Sequence, residues 1–198
     1  VTTIDVQRDV VALLIRLFPK PDAVFNALHG RYGEDGCVQG ILNILGIPYT
    51  HSGLLASALA MDKSAAKALF ATAGIKVAEH VIASRKELGA GLGLDPPYVI
   101  KPVNEGSSVG VHIVHEGGSY SPEGDSWPYG ENVMVERFIP GRELTVAVMG
   151  NEALAVTEIT TQRRFYDYDA KYVEGGSQHQ LPADIPAPVA AEARRISE

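Results

Sequence analysis

The sequence contains a single cysteine, Cys37, and no long hydrophobic run. One cysteine excludes an internal disulfide and is typical of a reducing compartment. The apolar run VVALLI spans only the six residues between Asp9 and Arg16, which is too short to cross a bilayer, and no secretory cleavage pattern accompanies it. We therefore expect a cytoplasmic protein that does not enter a membrane.

Positive charge is also scarce, since 17 lysines and arginines stand against 24 acids and give a net charge of −7. Surfaces that bind nucleic acid are normally basic, so this balance argues against a nucleic-acid partner. With 198 residues the chain can bury one large core or two small ones. It begins at Val1 rather than at a methionine, so we expect a piece of a longer protein.

The first 60 residues alternate between patterns typical of helices and of strands. Val6, Val10 and Leu13 lie on one stripe and predict an amphipathic helix over residues 4–20. The run DAVFNAL then predicts a buried strand, followed by the loop HGRYGEDG, a helix that ends at Gly46, and a short strand at IPYT. This alternation indicates a parallel α/β layer.

A different pattern begins near residue 60, and we place a domain boundary there, between 1–60 and 61–198. Asp62 is placed to cap a helix that Gly74 ends. After it, β-type runs occur at VAEHVI, YVIKPV, VHIVHE, NVMVERFI, LTVAVMG and ALAVTEIT, and the last two are joined by a tight hairpin. The tail APVAAEARRISE predicts a helix, and residues 117–130 predict a surface loop. The fold class is α/β followed by α+β.

The stretch KPVNEGSSVGV carries the strongest chemical signal. Lys101 ends the apolar run YVI and leads into a loop of glycines and serines. Glycines let backbone N–H groups approach a ligand closely, serines add hydroxyl donors and the lysine adds a positive charge, which together suit a phosphate. The alternative is a hairpin that merely uses turn residues. The pattern is not the Walker motif, because the lysine precedes the glycines.

Other polar residues admit two interpretations each. Glu136 and Glu143, near strand ends, could accept hydrogen bonds from an adenine amino group and from ribose hydroxyls, or they could be solvated carboxylates. Lys63 begins a helix, where most lysines are simply solvated because the helix dipole disfavours a cation there. The segment HGRYGEDG could be only a glycine-rich turn in which Asp35 caps the next helix.

Taken together, five blocks of sequence resemble the D-alanine–D-alanine ligases, a family with the ATP-grasp fold. In chain order these blocks are HGRYGEDGCVQG, MDKSAAK, YVIKPVNEGSSVGV, VERFIPGRELTVAV and RFYDYDAKY. The resemblance covers nearly the whole chain and implies an incomplete substrate-binding α/β domain over 1–60 and an ATP-grasp domain over 61–198. It implies that ATP phosphorylates one D-alanine and that the amine of a second attacks the acyl phosphate, for peptidoglycan precursor synthesis.

By the same resemblance, individual residues acquire roles around the nucleotide. Lys63 and Lys101 would contact the ATP phosphates, and the loop that contains Ser107 and Ser108 would close over them.

The adenine and ribose would be held by the segment after the fourth β-type run. Glu136 would accept from the adenine amino group, main-chain groups of Arg137 and Ile139 would complete the base site, and Glu143 would accept from the ribose hydroxyls.

The resemblance also implies residues that act on the substrates. Ser107 and Tyr172 would orient a glutamate that binds substrate, and His29 would lie near the D-alanine carboxylates. Lys171 and Tyr166, on a mobile loop, would help to seal the site against water, because an exposed acyl phosphate hydrolyses.

Several expectations concern parts that we do not assign to this chain. The Mg²⁺ ligands are expected beyond residue 198 and the glutamate that binds the first D-alanine before Val1, and Asp167 and Asp169 show no partner acids. The implied partners are ATP, D-alanine and a second copy in a homodimer. The alternatives are a D-alanine–D-lactate or D-alanine–D-serine ligase and a non-catalytic ATP-grasp nucleotide-binding module. Tyr172 disfavours the depsipeptide ligases, which tend to carry a histidine in that segment.

Overall fold

The protein, studied as a computed structural model, is described over residues 1–88, 94–120, 127–163, 166 and 168–198, and it divides into the units Val1–Met61 and Asp62–Glu198. The first unit contains the helices α1 (Val10–Arg16), α2 (Cys37–Leu45) and α3 (Leu54–Met61). Helix α2 ends at Gly46, whose φ of 62° lies in the left-handed region, so the predicted helix end is confirmed. The core of this unit joins α1 and α2 through the buried residues Leu13, Leu17, Val38, Leu42 and Ile47.

Helix α1 is shorter than the helix predicted over residues 4–20. The Asp9 carboxylate accepts a hydrogen bond from the Ala12 N–H at 3.0 Å and caps the helix, which therefore begins at Val10. Ile4 and Val6 lie outside the helix, yet they still pack against the core of the unit. Leu13 of the predicted stripe is buried, whereas Val10 is 55% exposed, and the predicted extent of the helix was wrong.

The two strands predicted in this unit meet at one parallel bridge, between Val24 and Tyr49. After that bridge the Asn26 N–H donates to the Thr50 hydroxyl at 3.0 Å, and the Asn26 side chain accepts from the Leu28 N–H at 3.0 Å. Side chains thus replace the backbone ladder. Phe25 is 80% exposed, so the prediction of a buried strand is wrong there.

The second unit begins with helix α4 (Lys63–Thr72), which Asp62 caps by accepting from the Ala65 N–H at 2.9 Å. Gly74 follows the helix with a φ of 75°, as predicted. The remaining elements are β1 (His80–Ser84), β2 (Tyr98–Pro102), β3 (His112–Val114), β4 (Asn132–Arg137), β5 (Glu143–Met149), β6 (Glu152–Thr160), α5 (Tyr168–Tyr172), β7 (Gln178–Gln180) and α6 (Ala187–Ser197). All six predicted β-type runs contain a strand. The short elements α5 and β7 were not predicted.

The strands form two antiparallel sheets, in the orders β1-β4-β2-β3 and β5-β6-β7. One face of the four-stranded sheet carries the core of the second unit, made of Leu88, Tyr98, Ile100, Val114, Val133 and Val135. Successive residues of a strand point to opposite faces, so the other face presents Lys101 from β2 and Glu136 from β4. Helix α6 packs on β5 and β6.

Two predictions fall partly or wholly outside the described residues. The predicted surface loop over 117–130 includes residues 121–126, which lie outside the described residues. Asp167, which was predicted to lack a partner acid, lies outside them as well. Within the described ranges, no helix is both long enough and apolar enough to span a membrane.

Candidate functional site

The polar face of the four-stranded sheet brings Lys101 and Glu136 together. In the antiparallel register Val99 lies opposite Glu136 and Lys101 opposite Met134, so all four side chains share one face. Lys101 and Glu136 are diagonal neighbours on it, and the Lys101 ammonium donates to Oε1 of Glu136. The sequence predicted a role for each residue but did not predict this ion pair.

A second lysine, Lys67, reaches the same carboxylate from helix α4. Its Nζ lies 2.8 Å from Oε2 of Glu136 and donates to the Ala78 carbonyl, also at 2.8 Å. Burial opposes ionisation of Glu136, but the hydrogen bonds from Lys101 and Lys67 outweigh it and hold the pKa of this carboxyl below its usual value. Sequence analysis missed Lys67, although its position four residues after Lys63 places both on one helix face.

Lys63 occupies the first position of α4 and points its ammonium toward the glycine-serine loop. Its N–H donates to the Val103 carbonyl at 3.0 Å, and its Nζ donates to the Glu105 carbonyl. Burial, followed by the charge of Lys101, lowers the pKa of Lys63 to about 8. The fold therefore holds two cations close together at the entrance of the loop, a placement that an anion would stabilise.

The glycine-serine loop has a strained backbone at two adjacent serines. Ser107 and Ser108 have φ values of 53° and 59°, in the left-handed region that non-glycine residues seldom adopt. Such outliers cluster at ligand-binding sites. Gly110 also has a positive φ, of 67°, and a Cβ there would lie 2.8 Å from the Tyr129 ring. The loop is thus held in a conformation that its sequence does not favour locally.

The segment around helix α5 closes against this loop. The hydroxyl oxygens of Ser107 and Tyr172 are 2.8 Å apart, and the Ser108 hydroxyl donates to the Tyr166 carbonyl at 3.1 Å. The Lys171 ammonium lies 5.2 Å from the centre of the Tyr166 ring, within the range of a cation–π interaction. Residues 168–172 form a helix, so the prediction of a loop there is wrong. Two segments distant in sequence are thus joined by hydrogen bonds.

Three further predicted residues lie at or after the end of β4. The Arg137 guanidinium pairs with Glu79 at 2.8 Å, and its backbone N–H donates to the Glu79 carbonyl at 2.9 Å. Ile139 is 63% exposed, and Glu143 begins β5 with an exposed side chain. The side chains of Ile139 and Glu143 are thus exposed, and the assignment of these residues to an adenosine stays a prediction.

His29 belongs to the first unit and lines a cavity of about 310 Å³ there, together with Tyr32 and Arg31. The loop that carries it is organised by Asp35, which accepts from the N–H groups of Tyr32 at 2.9 Å and Cys37 at 3.1 Å. Burial raises the pKa of Asp35, but these hydrogen bonds outweigh it and lower the pKa. Asp35 therefore organises the turn and the start of α2. The role of His29 beside a carboxylate stays a prediction.

The His, Cys, Asp and Glu side chains of the described ranges are the candidate metal ligands. No three His, Cys, Asp or Glu side chains of those ranges lie together as metal ligands would. Asp169 pairs with Arg163 at 2.8 Å.

Comparison with protein families gives two matches that together cover most of the chain. The family described as D-ala D-ala ligase C-terminus matches residues 69–198, and the family D-ala D-ala ligase N-terminus matches residues 11–52. The chain is 58% identical to the D-alanine–D-alanine ligase of Rhodospirillum rubrum, over 100% of this chain and 66% of that protein. It is 61% identical to the D-alanine–D-alanine ligase of Paramagnetospirillum magneticum, over 90% of this chain and 58% of that protein.

Solved structures give the same result for the fold. The D-alanine–D-alanine ligase of Bacillus anthracis complexed with ATP matches with a TM-score of 0.72 at 29% identity, over 96% of this chain and 63% of that one. The VanG D-Ala:D-Ser ligase of Enterococcus faecalis matches with a TM-score of 0.71 at 37% identity, over 90% and 55%. The predicted ATP-grasp fold class is confirmed. The chain spans less than two thirds of the length of these relatives.

Proposed function

The chain belongs to the D-alanine–D-alanine ligase family, and we propose on that premise that its protein joins two D-alanine molecules in an ATP-dependent reaction. The γ-phosphoryl group of ATP passes to a carboxylate oxygen of the first D-alanine and leaves ADP. The amine of the second D-alanine attacks the acyl carbon and loses a proton, and the bond to phosphate then breaks. The dipeptide serves peptidoglycan precursor synthesis. A carboxylate is a poor acyl donor, and the phosphate supplies its leaving group.

The observation that carries this proposal is the pair of cations beside the strained serine loop. Burial and, after it, the charge of Lys101 lower the pKa of Lys63 to about 8, so the protonated form of Lys63 is disfavoured at this position. A triphosphate would relieve that repulsion, because each ammonium would gain a charge-assisted hydrogen bond. The loop that contains Ser107 and Ser108 follows Lys101 in the sequence, and its backbone N–H groups would supply further donors.

The nucleoside would lie toward the end of β4. Glu136 carries an ionised carboxylate that can accept from the adenine amino group, and the main chain of Arg137 and Ile139 would border the base. Glu143, exposed at the start of β5, would accept from the ribose hydroxyls.

The lid would protect the reacting groups from water. The Ser107–Tyr172 and Ser108–Tyr166 hydrogen bonds hold the α5 segment over the loop, and Lys171, which lies over the Tyr166 ring, would help to seal the site. Excluding water strengthens the electrostatic interactions within the site and prevents hydrolysis of the acyl phosphate. His29 would contact a D-alanine carboxylate. Mg²⁺, when bound, neutralises charge on the phosphates as the phosphoryl group moves.

The alternatives are less well supported. Four curated relatives that are 55–61% identical are named D-alanine–D-alanine ligases, which does not favour a D-lactate or D-serine acceptor or a non-catalytic module. Homodimer formation and a cytoplasmic location belong to the same proposal and rest on the family alone.

Product analysis tests the acceptor. The whole protein, supplied with ATP, Mg²⁺, D-alanine and an equal concentration of D-lactate near pH 7, should form D-alanyl-D-alanine and little of the ester. Mass spectrometry separates the two products. Equal amounts of ester and dipeptide would contradict the proposed acceptor, and no D-alanine-dependent release of phosphate would contradict the ligase activity itself.

A further inference from the structure

Lys67 has no role in the reaction as proposed, yet its ammonium is nearly buried and paired on two sides. Its side chain is 11% exposed, and its ammonium joins two partners, the Glu136 carboxylate and the Ala78 carbonyl, each at 2.8 Å. Helix α4 fixes its backbone between the Asp62 cap and Gly74. The other lysine on Glu136, Lys101, is more open, with a side chain that is 20% exposed.

Both oxygens of Glu136 are occupied in the ligand-free protein. Oε1 accepts from Lys101 and Oε2 accepts from Lys67. If the proposed function holds, Lys101 must turn to a phosphate and Glu136 must accept from the adenine amino group. These two changes are one exchange, in which the ammonium of Lys101 leaves Oε1 and the amino group of the base replaces it.

We propose that Lys67 is a positioning residue that holds Glu136 in place during this exchange, so that Oε1 distinguishes a purine with a 6-amino group from one without it. The inference rests on the proposed function. Without Lys67, Lys101 would be the only ammonium group on the Glu136 carboxylate, which is 13% exposed. Glu136 would then either turn toward solvent when Lys101 left, or hold Lys101 and keep it from the phosphate. Lys67 prevents both outcomes, because it keeps one oxygen paired in either state.

Loss of Lys67 should therefore affect recognition of the purine base specifically. The phosphates are contacted by Lys63, Lys101 and the serine loop, so removing Lys67 should change the recognition of position 6 of the purine more than the affinity for triphosphate. A merely structural lysine would instead lower the affinity for every nucleotide by a similar factor.

The test compares ATP with purine riboside 5′-triphosphate, which lacks the 6-amino group, by calorimetry on the whole protein. The wild-type chain should prefer ATP by about tenfold, the usual scale of a hydrogen bond to a charged group. Lys67→Met should reduce that preference to within about twofold. Lys67→Arg, which keeps the charge and can donate to both partners of Lys67, should retain most of it. Lys76→Met, at an exposed lysine beyond the end of the same helix, is the matched control and should leave the preference unchanged.

A double-mutant cycle shows whether Lys67 acts through Glu136. In a Glu136→Gln background, Lys67→Met should cause no further change in the preference for ATP. Thermal melting establishes that each variant is folded, and if Lys67→Met does not fold, Lys67→Gln replaces it with a smaller loss expected.

The outcomes separate the inference from the proposed function. A wild-type chain that binds neither nucleotide overturns the proposed function together with the inference. A wild-type chain that prefers ATP, with an undiminished preference in the folded Lys67 variants, overturns the inference alone. A similar loss of affinity for both nucleotides also overturns it, because Lys67 would then be structural.

Discussion

Ser107 and Tyr172 stand 65 residues apart in the sequence, and their hydroxyl oxygens lie 2.8 Å from each other. The serine belongs to a loop with a strained backbone and the tyrosine ends a five-residue helix. Neither segment would hold its conformation alone, since short helices are marginal in water and a left-handed serine is unfavourable. Each segment therefore stabilises the other, and the lid and the loop should open and close together.

Tyr172→Phe should loosen the α5 segment while leaving the fold intact. The change removes one hydrogen bond worth about 1 kcal/mol, so amide hydrogen exchange over residues 168–176 should accelerate by roughly fivefold. Tyr168→Phe is the matched control, because Tyr168 is exposed and its ring contact with Tyr172 survives the change. Equal exchange rates in the two variants would show that the hydroxyl contact does not hold the lid.

ATP affinity should depend on pH through Lys63. Burial and the charge of Lys101 lower the pKa of Lys63 to about 8 in the free protein, and a bound phosphate would favour the protonated form. Binding above pH 8 must therefore take up a proton, and affinity should fall by up to about tenfold per pH unit there. Calorimetry of ATP binding checks this dependence between pH 6.5 and 9.5, roughly 1.5 units either side of the Lys63 pKa. Lys63→Met should bind more weakly with a flatter profile, and a wild-type profile that stays flat across pH 8 would exclude Lys63 as a phosphate contact.

The lowered pKa of Lys63 also predicts how stability depends on pH. A lysine in a favourable ion pair loses its contribution as pH rises, and for Lys63 we expect the opposite. The folded pKa, about 8, lies below the ordinary value of 10.5, so between these values the unfolded chain binds more protons than the folded one. Stability contributed by Lys63 should therefore rise with pH over that window. Denaturant titrations at pH 8 and pH 10 should show a smaller rise for Lys63→Met than for the wild-type chain, and a larger rise in the variant would contradict the assignment.

Gly110→Ala should destabilise the protein more than an equally left-handed glycine elsewhere. Gly110 and Gly150 have φ values of 67° and 64°, but a Cβ at Gly110 meets the Tyr129 ring at 2.8 Å, whereas at Gly150 nothing lies within 4 Å. Gly150→Ala thus reports the backbone strain, about 1 kcal/mol, and Gly110→Ala should lower the free energy of unfolding by about 1–3 kcal/mol more. Similar values from denaturant unfolding would mean that the ring moves aside without strain.

Local signals made much of the second unit predictable from its sequence. Asp62 and Gly74 bound α4 as capping rules require, and alternating apolar residues located the strands. The predictions were wrong where a tertiary contact decides, as at residues 168–172, where a short helix forms in contact with the serine loop. In the first unit, the Asn26 and Thr50 side chains took over backbone hydrogen bonds that the apolar run alone had assigned to a strand.

In the candidate site, too, the local motif was predictable from the sequence and the tertiary contact was not. Glycines, serines and Lys101 form one contiguous motif and could be found in the sequence. The ion pair of Lys67 with Glu136 could not, because it depends on the register of β2 against β4 and on which face of α4 meets the sheet. The resemblance to a family supplied roles for individual residues, and the geometry supplied the partner that those roles had left out.

A triphosphate contact at Lys101 is central to the proposed nucleotide site, and ATP binding by Lys101→Met in the whole protein tests it. The change removes a charge-assisted hydrogen bond, so calorimetry at pH 7.5 should show ATP binding weakened by roughly 1.5–3 kcal/mol. Lys67 remains on Glu136 in this variant and keeps that carboxylate paired. Lys86→Met, at an exposed lysine, should bind ATP as the wild-type chain does. Affinities that are equal in the Lys101 and Lys86 variants would contradict the nucleotide site.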